Sequence, residues 1–141
     1  MNAKLNAYKK NQVNTVSKEK LVLMLYDGAI KYLNKSLEVI DNNNPSEAHN
    51  HLISSQDIII GLMSGINFEV GKLGEDLFNL YEYMHHRLVE ANTTKDKDIV
   101  EEVLNMVKEL REAWVQIIGT QKLQPKPYQD REAPATVAIN Q

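Results

Sequence analysis

The chain contains no cysteine and only 6 glycines and 4 prolines among its 141 residues. Without cysteine, disulfide bonds, thiol catalysis and cysteine metal sites are excluded, and a reducing compartment is favoured. No stretch alternates between apolar and polar residues as a half-buried strand does, whereas apolar residues recur at helical spacing. These patterns predict an all-α protein.

Long apolar runs and basic stripes are missing as well. The N-terminal MNAKLNAYKKNQ has no run of signal-peptide length, and no apolar run approaches the roughly 20 residues that cross a bilayer. The formal net charge is −3, and the lysines form short clusters rather than the basic stripe typical of a nucleic-acid-binding protein. We therefore expect a cytoplasmic protein that neither binds nucleic acid nor inserts into a membrane.

Two helix starts are strongly marked in the sequence. Ser17 is a favourable N-cap for a helix that runs to about Asp41. Asn44 can cap the next helix, because Pro45 then occupies the first helical position and Glu47 completes a capping box.

Four long helices follow from these signals and from apolar periodicity, over about 18–41, 45–66, 73–92 and 97–119. Thr94 or Asp96 can cap the last helix, and Gly119 is a natural C-terminal stop. Because the intervening loops are short, we predict an antiparallel up-down four-helix bundle.

The two ends of the chain differ from this bundle, which we place at 14–120. A short amphipathic helix is expected within 1–13, over about 2–12. The segment 121–141 holds three of the four prolines and few large apolar residues, so we predict a disordered tail.

The first long helix is more apolar than a bundle core requires. A helical wheel gives it an apolar arc of roughly 220°, against roughly 100° for an ordinary amphipathic helix. Val22, Ala29, Leu33 and Ile40 lie at the centre of the arc, where we expect the core, whereas Met24 lies beside the polar sector. The excess is explained either by wide core faces in a small bundle, or by a surface for another helix or for self-association.

Catalytic and metal-binding patterns are weak in this sequence. A di-iron bundle needs two Glu-x-x-His motifs, and only Glu82 to His85 has that spacing. His49 and His51 are two residues apart on a helix and therefore point in different directions. Serines lack a glycine elbow, and phosphate-binding glycine loops are absent. We expect no catalytic residues, no metal and no cofactor, and hence no enzyme.

Arg111 lies inside the apolar arc of the last helix. Its simplest interpretation is an arginine whose stem covers apolar surface while its guanidinium pairs with a carboxylate. Asp27 and Asp57 are the candidate partners, and the sequence leaves the choice between them open.

Four stretches carry a resemblance to a known family. VNTVSKEKLVLMLYDGAI at 13–30 resembles the opening of the flagellar secretion chaperone family FliS. QDII at 56–59, LYEYMHHRLVEAN at 80–92 and ELREAW at 109–114 are similar to later parts of the same family, in order and at plausible spacing. Lys18 stands where the family pattern has proline, which removes only a preset φ at the helix start.

The resemblance implies a chaperone of bacterial flagellar export with an antiparallel helical bundle. Its client would be the C-terminal segment of flagellin, which is disordered before polymerisation and becomes partly helical in apolar grooves. Binding would prevent premature polymerisation and keep the client competent for the type III export gate. The alternative is a structural bundle that self-associates without a flagellin client, and we expect a monomer or a weak homodimer.

The candidate client-binding residues combine this resemblance with the surplus apolar positions: Tyr8, Val13, Leu21, Met24, Leu25, Tyr26, Asp27, Ile30, Arg111, Trp114 and Ile118. The N-terminal helix could act as a lid over the same groove when no client is present. The sequence leaves open which flank of the first long helix contacts the client, the one with Leu21 and Leu25 or the one with Leu23 and Ile30.

Overall fold

The computed structural model describes residues 17–67, 69 and 71–123, with only the backbone described for 120–123. These residues form four α-helices: α1 Lys18–Asp41, α2 Pro45–Ser64, α3 Lys72–Thr94 and α4 Lys97–Leu123. No β-strand occurs within the described ranges. The all-α prediction is confirmed. The predicted helix over about 2–12 lies outside the described residues.

The first two helices begin where the local sequence predicts. The Ser17 hydroxyl accepts a hydrogen bond from the backbone N–H of Lys20 at 3.1 Å. The side-chain oxygen of Asn44 accepts from the backbone N–H of Glu47 at 3.2 Å, while its amide donates to the Glu47 carboxylate at 3.3 Å. Pro45 occupies the first turn of α2. The caps satisfy backbone donors that have no partner within the helix.

The cap of α4 is Asp96. Its carboxylate accepts from the backbone N–H groups of Asp98 at 3.0 Å and Ile99 at 3.4 Å. Thr94, the other candidate cap, is the last residue of α3.

The predicted end of the last helix at Gly119 is wrong, because α4 continues to Leu123. A glycine often ends a helix in a left-handed conformation, but the described glycine with a positive φ is Gly71, at 77°, which precedes α3. Gly119 keeps a helical backbone, so the predicted boundary between 120 and 121 falls inside α4.

The helices form a ring in which each packs against two neighbours. α1 contacts α2 and α4, and α3 contacts the same two helices from the opposite side. The N-terminal end of α2 meets the C-terminal end of α3, where an amide nitrogen of Asn92 lies 3.0 Å from Nδ1 of His49. The antiparallel four-helix bundle is confirmed.

Every helix contributes to one apolar core. Ala29 and Leu33 are fully buried as predicted, whereas Val22 and Ile40 are partly buried at its edge. The other large residues with no exposure are Leu52, Ile59, Met84, Leu88, Val100, Val103 and Val107. Burial of such side chains stabilises the bundle by about 1.5–3 kcal/mol each before the cost of ordering them.

Small residues let α1 and α2 approach each other closely. A Cβ at Gly28 would lie 3.1 Å from Cδ1 of Ile58. Ser36 and Ser55 are fully buried, and their hydroxyls donate to the carbonyls of Leu33 at 2.8 Å and Leu52 at 2.9 Å within their own helices. The buried hydroxyls are therefore satisfied locally.

A polar cluster joins α3 to α4 at the surface. The Tyr83 hydroxyl donates to the carboxylate of Glu102 at 2.6 Å, and Nε of Arg87 donates to the same carboxylate at 2.9 Å. The hydrogen bond from Tyr83, reinforced by Arg87, lowers the pKa of Glu102. Arg87 also pairs with Glu90 at 2.8 Å, so one guanidinium connects both helices.

Candidate functional site

The N-terminal two turns of α1 carry apolar side chains that the bundle does not bury. Residues 18–25 are all exposed or half-buried, and the first buried residue of α1 is Tyr26. Met24 is 54% exposed and Leu21 is 40% exposed. Large apolar side chains with this exposure are candidates for contact with another molecule.

Helix geometry shows on which side of α1 these residues lie. Two contacts mark the side of α1 that faces α2. Gly28 lies against Ile58, and the ring of Tyr32 lies 6.2 Å from that of His51. At 100° per residue, Leu21 and Met24 lie on that same side.

The opposite flank of α1 is covered by the bundle. Ile30 and Leu37 are partly buried and pack against the core cluster. Asp27 accepts a hydrogen bond from Nε of Arg111 of α4, which marks the direction of α4. The flank that contains Leu21 is therefore the more exposed of the two.

The α2 side of this surface has little side-chain bulk. A Cβ at Gly61 would meet nothing within 4 Å, and one at Gly65 would meet only backbone oxygens at 3.7 and 3.8 Å. Both glycines lie on the same side of α2 as Ile58, towards α1. We call this surface the α1–α2 seam, and its residues are Leu21, Met24, Leu25, Ile58, Gly61 and Gly65.

The C-terminal part of α4 lies beside the start of α1. The indole N–H of Trp114 donates to the backbone carbonyl of Glu19 at 2.8 Å. Trp114 and Ile118 are half-buried, whereas Val115 is 37% and Ile117 is 47% exposed. Trp114 of α4, one of the predicted residues, is thus brought to the start of α1 at one corner of the bundle.

Arg111 pairs with Asp27, which settles the choice between the two predicted partners. The side chain of Arg111 is 37% exposed and that of Asp27 is 52% exposed. The hydrogen bond to Asp27, reinforced by the charge of that carboxylate, raises the pKa of the guanidinium.

Tyr26 differs from the other predicted client-binding residues because it lies in the core. Its exposure is 2%, and its hydroxyl lies 2.5 Å from the hydroxyl of Tyr81 of α3. Burial is the main reason that the pKa of each phenol is raised. Its side chain is therefore not available on the surface of this structure. The predicted residues Tyr8 and Val13 lie outside the described residues.

A second apolar surface was not selected from the sequence. A shallow groove of about 300 Å³ lies between α2 and α3, and its lining residues are His49, Ile53, Gln56, Val89, Asn92 and Thr93. Ile53 is 38% and Val89 is 44% exposed. The pairing of Ile53 with Val89 depends on how two segments far apart in the sequence pack, which the sequence pattern does not show.

No group of three or more histidine or acidic side chains in the described part of the chain is placed to hold a metal ion. Glu82 is exposed and His85 is half-buried. No helix among the described residues is both long enough and apolar enough to cross a membrane.

Comparison with known proteins identifies the family of the chain. The model of the family described as "Flagellar protein FliS" matches residues 1–121. The chain belongs to the FliS family. All four helices fall within this match except for the last two residues of α4.

Several FliS relatives align with most of the chain. The flagellar secretion chaperone FliS of Bacillus subtilis (strain 168) is 34% identical over 116 residues, which cover 82% of this chain and 86% of the relative. The protein of that name from Vibrio cholerae is 32% identical over 122 residues, covering 83% and 90%. That of Campylobacter jejuni is 30% identical over 117 residues, covering 82% and 91%. A FliS chaperone implies a partner protein of the flagellar system.

Proposed function

We propose that this FliS-family chain is a cytoplasmic export chaperone for the C-terminal segment of flagellin. The segment binds as an amphipathic helix on apolar surface of the bundle. Binding prevents premature polymerisation and keeps flagellin competent for the type III export gate. The observation that carries the proposal is the exposed apolar surface of the α1–α2 seam, in a chain of the flagellar secretion chaperone family.

The chemistry of the seam fits a helical guest. Helix-in-groove recognition needs an apolar strip on a rigid scaffold, and the exposed side chains of Leu21 and Met24 line α1 while Gly61 and Gly65 leave room on α2. Met24 can adapt its shape to different guests. A disordered client loses entropy when it orders, so its affinity must come from a long apolar contact.

The corner between α1 and α4 and the N-terminal segment extend this proposal. Val115, Ile117 and the half-buried Trp114 and Ile118 belong to the part of α4 that reaches the start of α1 through Trp114, and they would lengthen the apolar contact. The segment 1–13, with Tyr8, would cover the client surface when no client is present. No catalytic step or cofactor is part of this function.

Light scattering coupled to size-exclusion chromatography tests the proposal. The full chain is mixed with a peptide of the flagellin C-terminal segment, and a scrambled peptide of the same composition serves as the control. A one-to-one complex with the authentic peptide alone is expected. A dimer of the chain that is indifferent to either peptide would instead support the self-associating bundle.

A further inference from the structure

Two polar links join the N-terminal half of α1 to the C-terminal half of α4. The first is the hydrogen bond from Nε of Arg111 to the carboxylate of Asp27. The second is the 2.8 Å hydrogen bond from the indole of Trp114 to the carbonyl of Glu19. Both lie at the same corner of the bundle, because α1 and α4 run antiparallel.

The Glu19 link lies within the first two turns of α1 and the Asp27 link directly follows them, and in these turns Val22 and Leu25 are partly buried against the core. Residues 18–25 include no buried side chain, whereas Tyr26, Ala29 and Leu33 further along the helix are buried. The direction of the first two turns therefore depends on partial packing and on the contacts with α4. Leu21 and Met24 lie within those two turns, on the side that faces α2.

The guanidinium of Arg111 is already engaged by this pairing. Its Nε donates to Asp27, and this hydrogen bond raises its pKa above the usual value. The stem crosses from the apolar face of α4 to α1, as is common for arginine at the edge of a core. The part of a client that lies on the α1–α2 seam would be on the side of α1 away from Arg111, and a client would reach α4 only where it continues to Trp114 at the start of α1.

We infer that Arg111 is a positioning residue for the α1–α2 seam and acts on client affinity through Asp27. The inference rests on the proposed flagellin-binding function. It replaces the expectation that Arg111 touches the client. The pair fixes α1 against α4 directly after its first two turns, so that Leu21 and Met24 are held where a guest helix can pack against them and against α2.

A charge exchange tests this role. Asp27→Arg, Arg111→Asp and the double variant are titrated with the flagellin C-terminal peptide by calorimetry, and folding is followed by circular dichroism. Each single variant is expected to bind about tenfold more weakly, and the double variant to return to within about threefold of the wild-type affinity. Should a single exchange unfold the chain, Asp27→Asn and Arg111→Gln remove the pair without placing like charges together.

The bundle supplies a matched control at its other end. Lys97 pairs with Asp41 at 2.9 Å, and this exposed ion pair also joins α1 to α4. Lys97→Asp should lower the thermal midpoint about as much as Arg111→Asp does, yet leave peptide affinity unchanged. An equal loss of affinity would mean that general loosening of the bundle is responsible, and would overturn the positioning role.

The remaining outcomes separate the inference from the proposed function. Wild-type protein that fails to bind the peptide overturns both. If the wild type binds but the single variants bind equally well, the inference alone is wrong. If Arg111→Asp weakens binding and the double variant does not restore it, Arg111 contacts the client directly, and the positioning role is again wrong.

Discussion

At the residue scale, the hydroxyls of Tyr26 and Tyr81 form a hydrogen-bonded pair that is buried in the core. Their exposures are 2% and 3%, and each hydroxyl is the hydrogen-bond partner of the other. Tyr26→Phe should cost about 1–3 kcal/mol of unfolding free energy, because it leaves the Tyr81 hydroxyl buried without that partner. The double Phe variant should cost less than the two single changes together. Urea denaturation of the four proteins gives the coupling, and additive single costs would contradict it.

The same pair makes stability depend on alkaline pH. Burial raises the pKa of both phenols in the folded chain. In the unfolded chain the phenols have a pKa of about 10, so above that pH they lose protons that the folded chain retains. The contribution of the two protonated phenols to the free energy of unfolding is therefore complete below about pH 10 and declines as the pH rises above it. Urea midpoints between pH 9 and 11 should fall more steeply for wild type than for the double Phe variant. Parallel pH profiles for the two proteins would count against this assignment.

Gly28 and Gly61 provide a second residue-scale test within neighbouring helices. A Cβ at Gly28 would press on Ile58 at 3.1 Å, whereas one at Gly61 would meet nothing within 4 Å. Gly61→Ala should raise the unfolding free energy by about 0.5–1 kcal/mol through helix propensity, and Gly28→Ala should gain less or lose stability. Chemical denaturation of both variants measures these changes in the free energy of unfolding. A larger gain for Gly28→Ala would show that α1 and α2 do not approach each other as described.

At the scale of the helices, the C-terminal end of α4 is the boundary that the sequence misplaced by the most residues. Gly119 is helical and a Cβ there would meet open space. Gly119→Ala should therefore increase helicity at the end of α4 and stabilise it by up to about 1 kcal/mol. Amide exchange of residues 116–123 measures this directly. Faster exchange in the alanine variant would indicate that Gly119 ends the helix in solution after all.

Helix starts were predictable because their signals are local. Ser17, Asn44 and Asp96 cap through side chains that bond to backbone groups two or three residues away. The end of α4 was not predictable from Gly119, since a glycine can either continue a helix or end it. The residue type alone does not decide between these two outcomes. The partner of Arg111 depended on packing between segments 84 residues apart, which periodicity does not encode.

The candidate site was predicted in outline for a related reason. A wheel separates apolar from polar faces, but an arc as wide as that of α1 contains core and surface residues together. Tyr26 and Met24 both belonged to the predicted set, and the structure buries the first while leaving 54% of the second exposed. The groove between α2 and α3 was not predicted because its walls belong to two helices. The apolar pattern of one helix does not show which other helix packs beside it.

At the scale of the whole molecule, a buried core is distinct from the exposed apolar seam that we propose as the client surface. The core draws on all four helices, whereas the seam uses the exposed start of α1 and the glycines near the end of α2. This division predicts that a charge can enter the seam without unfolding the bundle. Met24 is the best position for it, because its side chain is the most exposed of the predicted apolar residues that the structure describes.

Calorimetric titration of a flagellin C-terminal peptide into wild type, Met24→Asp and Asn34→Asp tests that division most directly. Asn34 is exposed on the polar face of α1, so its change adds the same charge to the same helix away from the seam. We predict one-to-one binding to wild type, at least about tenfold weaker binding to Met24→Asp and unchanged binding to Asn34→Asp, with equal thermal midpoints for all three. Equal affinity of the two variants, or no binding to wild type, would contradict the account.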